Sequence, residues 1–387
     1  MDEKLETQAA QLAAINQATL TPIVQSALNS ETVEVTDWDV QQIHGGSGGG
    51  VRASAVYRCS GRGRDQSHTV SWSLILKTFS PAADADPSAP YYPRREADAY
   101  RSGWLGQLPG RLAAPACYGV VEQPDGGIWV WLEEVAGDAG RRWPLGRYAL
   151  AARHLGQFNG AYLAGHPLPT WPWFSARWLR RVVAQAAPAI ARLPDVLEHP
   201  LGRRYFPGDT SARFYRLWVE RERLLDALER LPRTICHLDA FSRNLFSGQA
   251  DHGDQTVVID WAFVGGGAVG EELEPLVCRT LLFSDVELAH AQELDGMVFA
   301  GYLDGLRDAG WQGDPRQVRL GYTAAVTLRC LVMIGQVLPL ILDESLHFVT
   351  PQIFGRPFEE MLDHGVACRR FQFGLEDEAL ELLDTLF

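Results

Sequence analysis

The strongest constraint on this chain lies in two neighbouring segments. The first, Cys236-His237-Leu238-Asp239-Ala240-Phe241-Ser242-Arg243-Asn244-Leu245-Phe246, sets an aspartate and an asparagine five positions apart. That spacing keeps them off one helix face. Leu238, Phe241, Leu245 and Phe246 are placed to clamp such a loop onto a core. The second segment, Val257-Val258-Ile259-Asp260-Trp261, reads as a short buried strand ending in a carboxylate. The rest of the chain is read as the frame for this loop and this strand end.

Asp239, Asn244 and Asp260 combine a carboxylate able to hold a nucleophile with oxygen ligands suited to magnesium, the layout that phosphoryl transfer needs. Singly, each has a plainer reading: a loop cap, a left-handed turn residue and a structural strand end. His-x-Asp-(four residues)-Asn followed by Ile-Asp-Trp resembles the signature of aminoglycoside phosphotransferases and choline kinases, the small-molecule branch of the protein-kinase-like fold. The resemblance implies a bilobal α+β fold, with an antiparallel-sheet N-lobe, a mainly helical C-lobe, and ATP with Mg2+ in the cleft. It implies that Asp239 orients the attacking hydroxyl and accepts its proton, and that Asn244 and Asp260 ligate magnesium. His237 is expected to order the loop. Position 238 is Leu where many relatives carry Gly, so a less permissive loop backbone is expected.

At 387 residues the chain has room for one large domain or two lobes sharing a substantial core. A net charge of −13 with no basic tract argues against nucleic acid as a partner. The cysteines, Cys59, Cys117, Cys236, Cys278, Cys330 and Cys368, are dispersed, with no metal-ligand spacing, and read as thiols in a reducing compartment. Met1 to Leu5 shows no basic n-region or apolar h-region, so no secretory signal is expected. The apolar run Ala324–Leu342 contains Arg329 and Gln336, with Pro339 near its end. It reads as a buried helix rather than a membrane span, and the protein as cytoplasmic and without a membrane partner.

Three regions are expected: a helical extension over 1–30, an N-lobe over 31–135 and a C-lobe over 136–387. Residues 4–28 read as one or two helices interrupted near Pro22. Strand-type alternation from Val33 leads to His44 and the run Gly45-Gly46-Ser47-Gly48-Gly49-Gly50, followed by alternating Val51, Ala53, Ala55 and Tyr57. The run is no P-loop, since no Gly-Lys-Ser/Thr closes it and no helix follows. It also matches G-x-S-x-G, but a nucleophile elbow needs a strand-to-helix turn. Strand, glycine loop, strand is the order of a phosphate lid, with Gly46, Ser47 and Gly48 over the nucleotide.

Thr69 to Phe79 alternates, with Val70, Trp72, Leu74 and Leu76 facing one way and Lys77 the other. A lysine near the end of an apolar strand needs a partner if buried. Pro93 suits the first turn of a helix reaching about Leu108, with Glu96 at the edge of its apolar stripe. The resemblance makes Lys77 the phosphate-holding lysine and Glu96 its helix partner, with Asp98 a neighbouring candidate. Ile128 to Val135 reads as a strand entering a hinge, where the backbone of Glu134 and Val135 would meet adenine.

Trp171, Trp173 and Phe174, packed between prolines, read as lobe packing or a substrate wall. Beyond Trp261, Gly270-Glu271-Glu272-Leu273 matches the family's step into the next helix. No activation segment ending in Ala-Pro-Glu intervenes, which disfavours a protein kinase. Two readings of Glu271, Glu272 and Glu274 stay open: stabilisation of a helix N-terminus, or contact with an amine-bearing acceptor. The expected activity is ATP-dependent transfer of the γ-phosphate to a hydroxyl of an aminoglycoside-, choline- or sugar-like molecule. The alternative is a nucleotide-binding regulatory module of the same fold without turnover.

Overall fold

The computed structural model describes residues 15–43, 54–81, 85–137, 139–250 and 253–387. They fall into two compact units. The first comprises Met1–Asp84, Ala97–Gly106 and Pro115–Ala136; the second comprises Ala85–Glu96, Gln107–Ala114 and Gly137–Phe387.

The first unit is built on strand alternation. Helix α1 (Gln17–Leu28) opens with a capping box in which Asn16 and Thr19 satisfy each other's backbone N–H groups, and it runs through Pro22 without a break. Strands β1 (Val33–Ile43), β2 (Ser54–Asp65) and β3 (His68–Phe79) follow as consecutive antiparallel neighbours. With β5 (Cys117–Glu122) and β6 (Ile128–Glu133) they form one sheet in the order β1-β2-β3-β6-β5. Register sets Tyr57 opposite Leu76 and Leu76 opposite Trp131. Tyr57, Cys59, Trp72, Leu74, Leu76, Trp129 and Trp131 thereby line one face, against Leu20, Ile23 and Val24 of α1.

Helix α2 (Arg95–Arg101) is shorter than the stripe to Leu108 suggests. Gly103 takes a left-handed backbone, and the chain resumes as a separate 3-10 turn over Trp104–Gln107.

The second unit also draws in two segments that precede the expected boundary at 136. Strand β4 (Leu112–Ala113) pairs in parallel with β9 (Gly253–Val258), which pairs with β8 (Leu245–Ala250). The segment around Arg95 is bound in by that side chain, which is fully buried and donates to the carbonyls of Pro90, Trp173 and Ala262 at 2.9, 2.8 and 3.0 Å. Burial lowers the Arg95 pKa to about 10. Trp173 therefore serves the packing through its backbone, its ring stacked on Trp171 at 4.8 Å.

Helices supply most of the remainder: α3 (Leu145–Leu163), α4 (Trp178–Ile190), α5 (Thr210–Arg230), α6 (Ala291–Asp308), α7 (Pro315–Leu342) and α8 (Phe358–Leu386). Helices α3 and α6 approach to backbone contact. A Cβ on Gly156 would lie 2.3 Å from the Tyr302 carbonyl oxygen, and one on Gly305 only 1.9 Å from that of Arg153. Only glycine permits this spacing. Helix α7 is long and apolar enough to cross a membrane, yet 67% of its most apolar window is buried. Leu320, Ala324, Leu328, Leu331 and Leu338 pack among Leu179, Val183 and Leu224 in the main core. This is the core helix that the interruption by Arg329 implied.

Candidate active site

The loop between β7 (Arg233–Cys236) and β8 is held from both ends. Strand β7 pairs with β10 (Gly265–Ala268). On its other side, the Asn159 amide on α3 donates to the Ile235 carbonyl at 2.5 Å and accepts from the Tyr302 hydroxyl of α6 at 2.6 Å. The Thr234 hydroxyl closes the chain onto the Asn159 carbonyl at 2.7 Å. The glycine-mediated approach of α3 and α6 is what brings Asn159 and Tyr302 together.

Immediately beyond β7 the backbone turns left-handed at Leu238, with φ +65°. A leucine in that region costs about 1 kcal/mol or more. Three contacts hold it there. The two oxygens of Glu272 accept the N–H groups of His237 and Leu238 at 2.5 and 3.0 Å. The Leu238 carbonyl accepts from Arg329 Nη2 at 2.7 Å. The Leu238 side chain is buried in the main core, which offsets the strain. The turn expected to suffer from leucine is therefore made with leucine.

Arg329, on α7, is itself buried, pairs with Glu274 at 3.1 Å and lies over the Trp178 ring at 4.7 Å. Burial pushes Glu272 up to about 7, while the two amide donors and Arg329 pull the other way. Glu271 accepts the Ala268 N–H at 2.9 Å. Glu271 and Glu272 are both buried and spend their carboxylates on backbone amides. Glu271 and Glu272, expected as acceptor contacts, thus hold the loop through these amides, and Glu274 pairs with Arg329.

His237 ties the loop to the end of β9. Its Nδ1 accepts the Asp239 N–H at 3.2 Å, so the proton of the neutral ring sits on Nε2, which donates to the Ile259 carbonyl at 3.1 Å. The ring also meets Trp261 edge-on at 4.6 Å. A histidine with both nitrogens committed to backbone orders the loop.

Asp239 is 8% exposed, and its two carboxylate oxygens have different surroundings. Oδ2 accepts from the Asn244 amide at 3.2 Å, and the same amide donates to the Asp239 carbonyl at 3.0 Å. Oδ1 faces Arg279 Nε at 3.7 Å. Burial raises the Asp239 pKa to about 7; Arg279 opposes the rise, and Asp260 adds to it. Asn244 also joins the strand end, its carbonyl accepting the Ile259 N–H at 3.0 Å. Asp260 follows with a left-handed backbone at φ +67°. Asp239, Asn244 and Asp260 are thus brought together by one loop and one strand end. With its N–H groups on Asp239, Asn244 has its side-chain oxygen left to offer a cation. Among the described residues no group of three or more His, Cys, Asp and Glu could hold a metal alone.

Lys77 is buried in β3, between Val56 and Val130 on the neighbouring strands. Glu96 is buried in α2 and falls in the second unit, whereas Lys77 falls in the first. The Glu134 carboxylate engages Arg58 and the Ser73 hydroxyl, leaving its backbone and that of Val135 as the groups in question. Gly46, Ser47 and Gly48 lie outside the described residues.

Sequence reading missed Arg279, Arg329 and the Asn159–Tyr302 pair. They lie far from the loop in sequence and join it only through packing. One signal was present: a lone arginine in an apolar helix needs a buried partner.

Comparison with known proteins agrees with this architecture. An amicoumacin kinase solved with AMP-PNP, Ca2+ and Ami superposes with a TM-score of 0.56 at 12% identity, covering 97% of this chain and 96% of that one. A choline kinase from Cryptosporidium parvum gives 0.51 at 12% identity, covering 90% of each. At such identities the likeness is one of fold. No curated protein shows significant sequence similarity to the chain. Residues 49–320, more than half of the chain, match the phosphotransferase enzyme family. The chain belongs to the phosphotransferase enzyme family and is a small-molecule kinase of the protein-kinase-like fold.

Proposed function

We propose that this kinase moves the γ-phosphate of ATP to a hydroxyl of a small molecule. The observation that carries this reading is the Asp239 carboxylate, buried, with one oxygen held by Asn244 and the other facing away from it. Asp239 Oδ1 receives the acceptor hydroxyl and takes its proton, and a pKa near 7 suits a base that must release that proton before the next cycle. Asn244 and Asp260 are the residues that would hold Mg2+, which when bound neutralises charge on the phosphates. The family resemblance assigns Lys77 to the α- and β-phosphates, Glu96 to Lys77, Gly46, Ser47 and Gly48 to the phosphate lid, and the Glu134–Val135 backbone to adenine. Phosphoryl transfer asks mainly for positioning, and the bracing of the loop by Glu272, Arg329 and His237 supports that role. Five of the six cysteines are buried and all are free, which fits a reducing, cytoplasmic setting.

The test is ADP release with Mg2+ and ATP across a panel of hydroxylated metabolites and aminoglycosides, with phosphorylated products identified by mass. Asp260→Ala is expected to weaken MgATP binding in calorimetry; unchanged affinity removes the metal assignment. Lys77→Ala and Glu96→Ala are expected to be non-additive, and full additivity in the cycle removes Glu96 as partner. ATP-dependent thermal stabilisation without turnover on any acceptor favours a regulatory nucleotide-binding module.

A further inference from the structure

The two oxygens of Asp239 divide its surroundings. Oδ2 is taken by the Asn244 amide, on the side of the proposed metal residues. Oδ1 is therefore the atom available to an acceptor hydroxyl, and the side chain beside it is Arg279, with Nε 3.7 Å away. At that distance the pair is an ion pair without a hydrogen bond.

Arg279 closes a single π-helical turn, Pro275–Arg279, a local irregularity that recurs at functional sites. Its Nε is buried and has no hydrogen-bond acceptor among the described residues. The side chain as a whole keeps 30% exposure. The other charges nearby face partners of their own, although Glu274 Oε2 and Arg329 Nε and Nη1 also lack hydrogen bonds among the described residues. Glu274 pairs with Arg329, and Arg329 also donates to the Leu238 carbonyl. Glu271 and Glu272 are spent on backbone amides. Among the described residues, the positive group in ion-pair contact with the acceptor oxygen of Asp239 is Arg279.

We propose that Arg279 is a specificity residue for the acceptor, and that the hydroxyl to be phosphorylated lies next to an anionic oxygen, a carboxylate or phosphate, which the guanidinium holds. This rests on the phosphotransferase reading above. A planar guanidinium matches an oxyanion with paired hydrogen bonds. An ammonium at the same place meets a like charge, so amine-bearing acceptors are selected against.

The experiment uses the full chain with Mg2+ and ATP and matched compounds on two skeletons. Glycerate and glycerol 3-phosphate are set against glycerol and ethanolamine, and galacturonate and galactose 6-phosphate against galactose and galactosamine. ADP release above the acceptor-free rate and the mass of the product are read. Within at least one set an anionic member is expected to have the highest kcat/KM, and the carboxylate and phosphate arms tell the two sources apart. In Arg279→Gln the KM for that acceptor should rise about 10- to 100-fold, as for a lost hydrogen bond to a charged group. Arg279→Lys should recover part of the loss. The unfolding midpoint and MgATP titration establish that each variant is folded.

Preference for a neutral or amine-bearing member, no stimulation by any anion, or unchanged discrimination in Arg279→Gln overturns the proposal. So does a fall in kcat with KM unchanged, which assigns Arg279 to the transferring phosphoryl group. Acceptor-free ADP release that Asp260→Ala abolishes leaves the kinase reading standing when the anion reading falls. Absence of ADP release with every compound overturns both.

Discussion

In the first unit the sheet is held by what its side chains hide, whereas in the second the catalytic loop is held by charged groups taken out of water. Tyr57, Leu74, Leu76 and Trp131 gain stability from burial alone, and any apolar group of similar shape would serve. Glu272, Arg329 and Glu274 sit in a similarly buried setting, where Glu272 is met by two backbone amides and Arg329 by the Leu238 carbonyl and the opposite charge of Glu274. The first arrangement tolerates substitution and fixes a surface. The second depends on particular donors and acceptors and fixes the loop's position, which is what phosphoryl transfer demands. The difference predicts that stability and activity respond separately in the two regions.

The sharpest break comes at Asp239. Asp239→Asn keeps the shape and the contact with Asn244 but removes the proton acceptor. Turnover should fall by about 10²- to 10⁴-fold, with the unfolding midpoint and MgATP affinity close to wild type. Steady-state kinetics with thermal unfolding check this. Near wild-type turnover would remove Asp239 from the centre of the site.

Next is the brace. Arg329→Met leaves Glu274 buried without its cation and the Leu238 carbonyl without its donor, and should destabilise the fold by about 3–5 kcal/mol in urea unfolding. Adding Glu274→Gln should recover a large part of that loss, because the stranded charge is gone. Turnover should stay depressed in the double variant, since the loop has still lost a contact. A double variant as unstable as Arg329→Met alone would mean that the ion pair is not the source of the effect.

The same contrast explains what could be read from the chain in advance. Alternation at Val70, Trp72, Leu74 and Leu76 follows from a period of two residues acting locally, so β3 and its buried face were legible. The loop was legible as a motif because Asp239, Asn244 and Asp260 are close in sequence. Its supports were not. Arg329 and Tyr302 reach the loop through helix packing, and nothing local marks which carbonyl a distant arginine will meet. Glu271 and Glu272 show the opposite difficulty. Their position near the site was evident, but an acid serving backbone amides and an acid serving a ligand look alike in sequence. Likewise the stripe Ala97, Tyr100, Trp104 gave a helix that one left-handed glycine, Gly103, cut short.

In the sheet the matching perturbation is Leu74→Ala, which should cost about 2–5 kcal/mol through lost burial and a cavity. At temperatures where the variant remains folded, its turnover should stay within a few-fold of wild type. Activity falling in proportion to stability would erase the distinction between the two regions.

The smallest effect is also the most discriminating. Leu238 and Leu74 are both fully buried leucines, but Leu238 has φ +65° and Leu74 lies in a regular strand. Truncation to alanine or glycine removes the packing at either position. At Leu74 alanine should be the better tolerated of the two by about 0.5–1 kcal/mol, because glycine loses more backbone freedom on folding. At Leu238 the order should reverse, glycine exceeding alanine by about 1 kcal/mol, because alanine keeps the left-handed strain that leucine offsets by burial. Four variants and their urea midpoints decide it. The same order at both positions would show that the loop turn carries no strain, and that Glu272 and Arg329 hold a conformation the backbone would adopt without them.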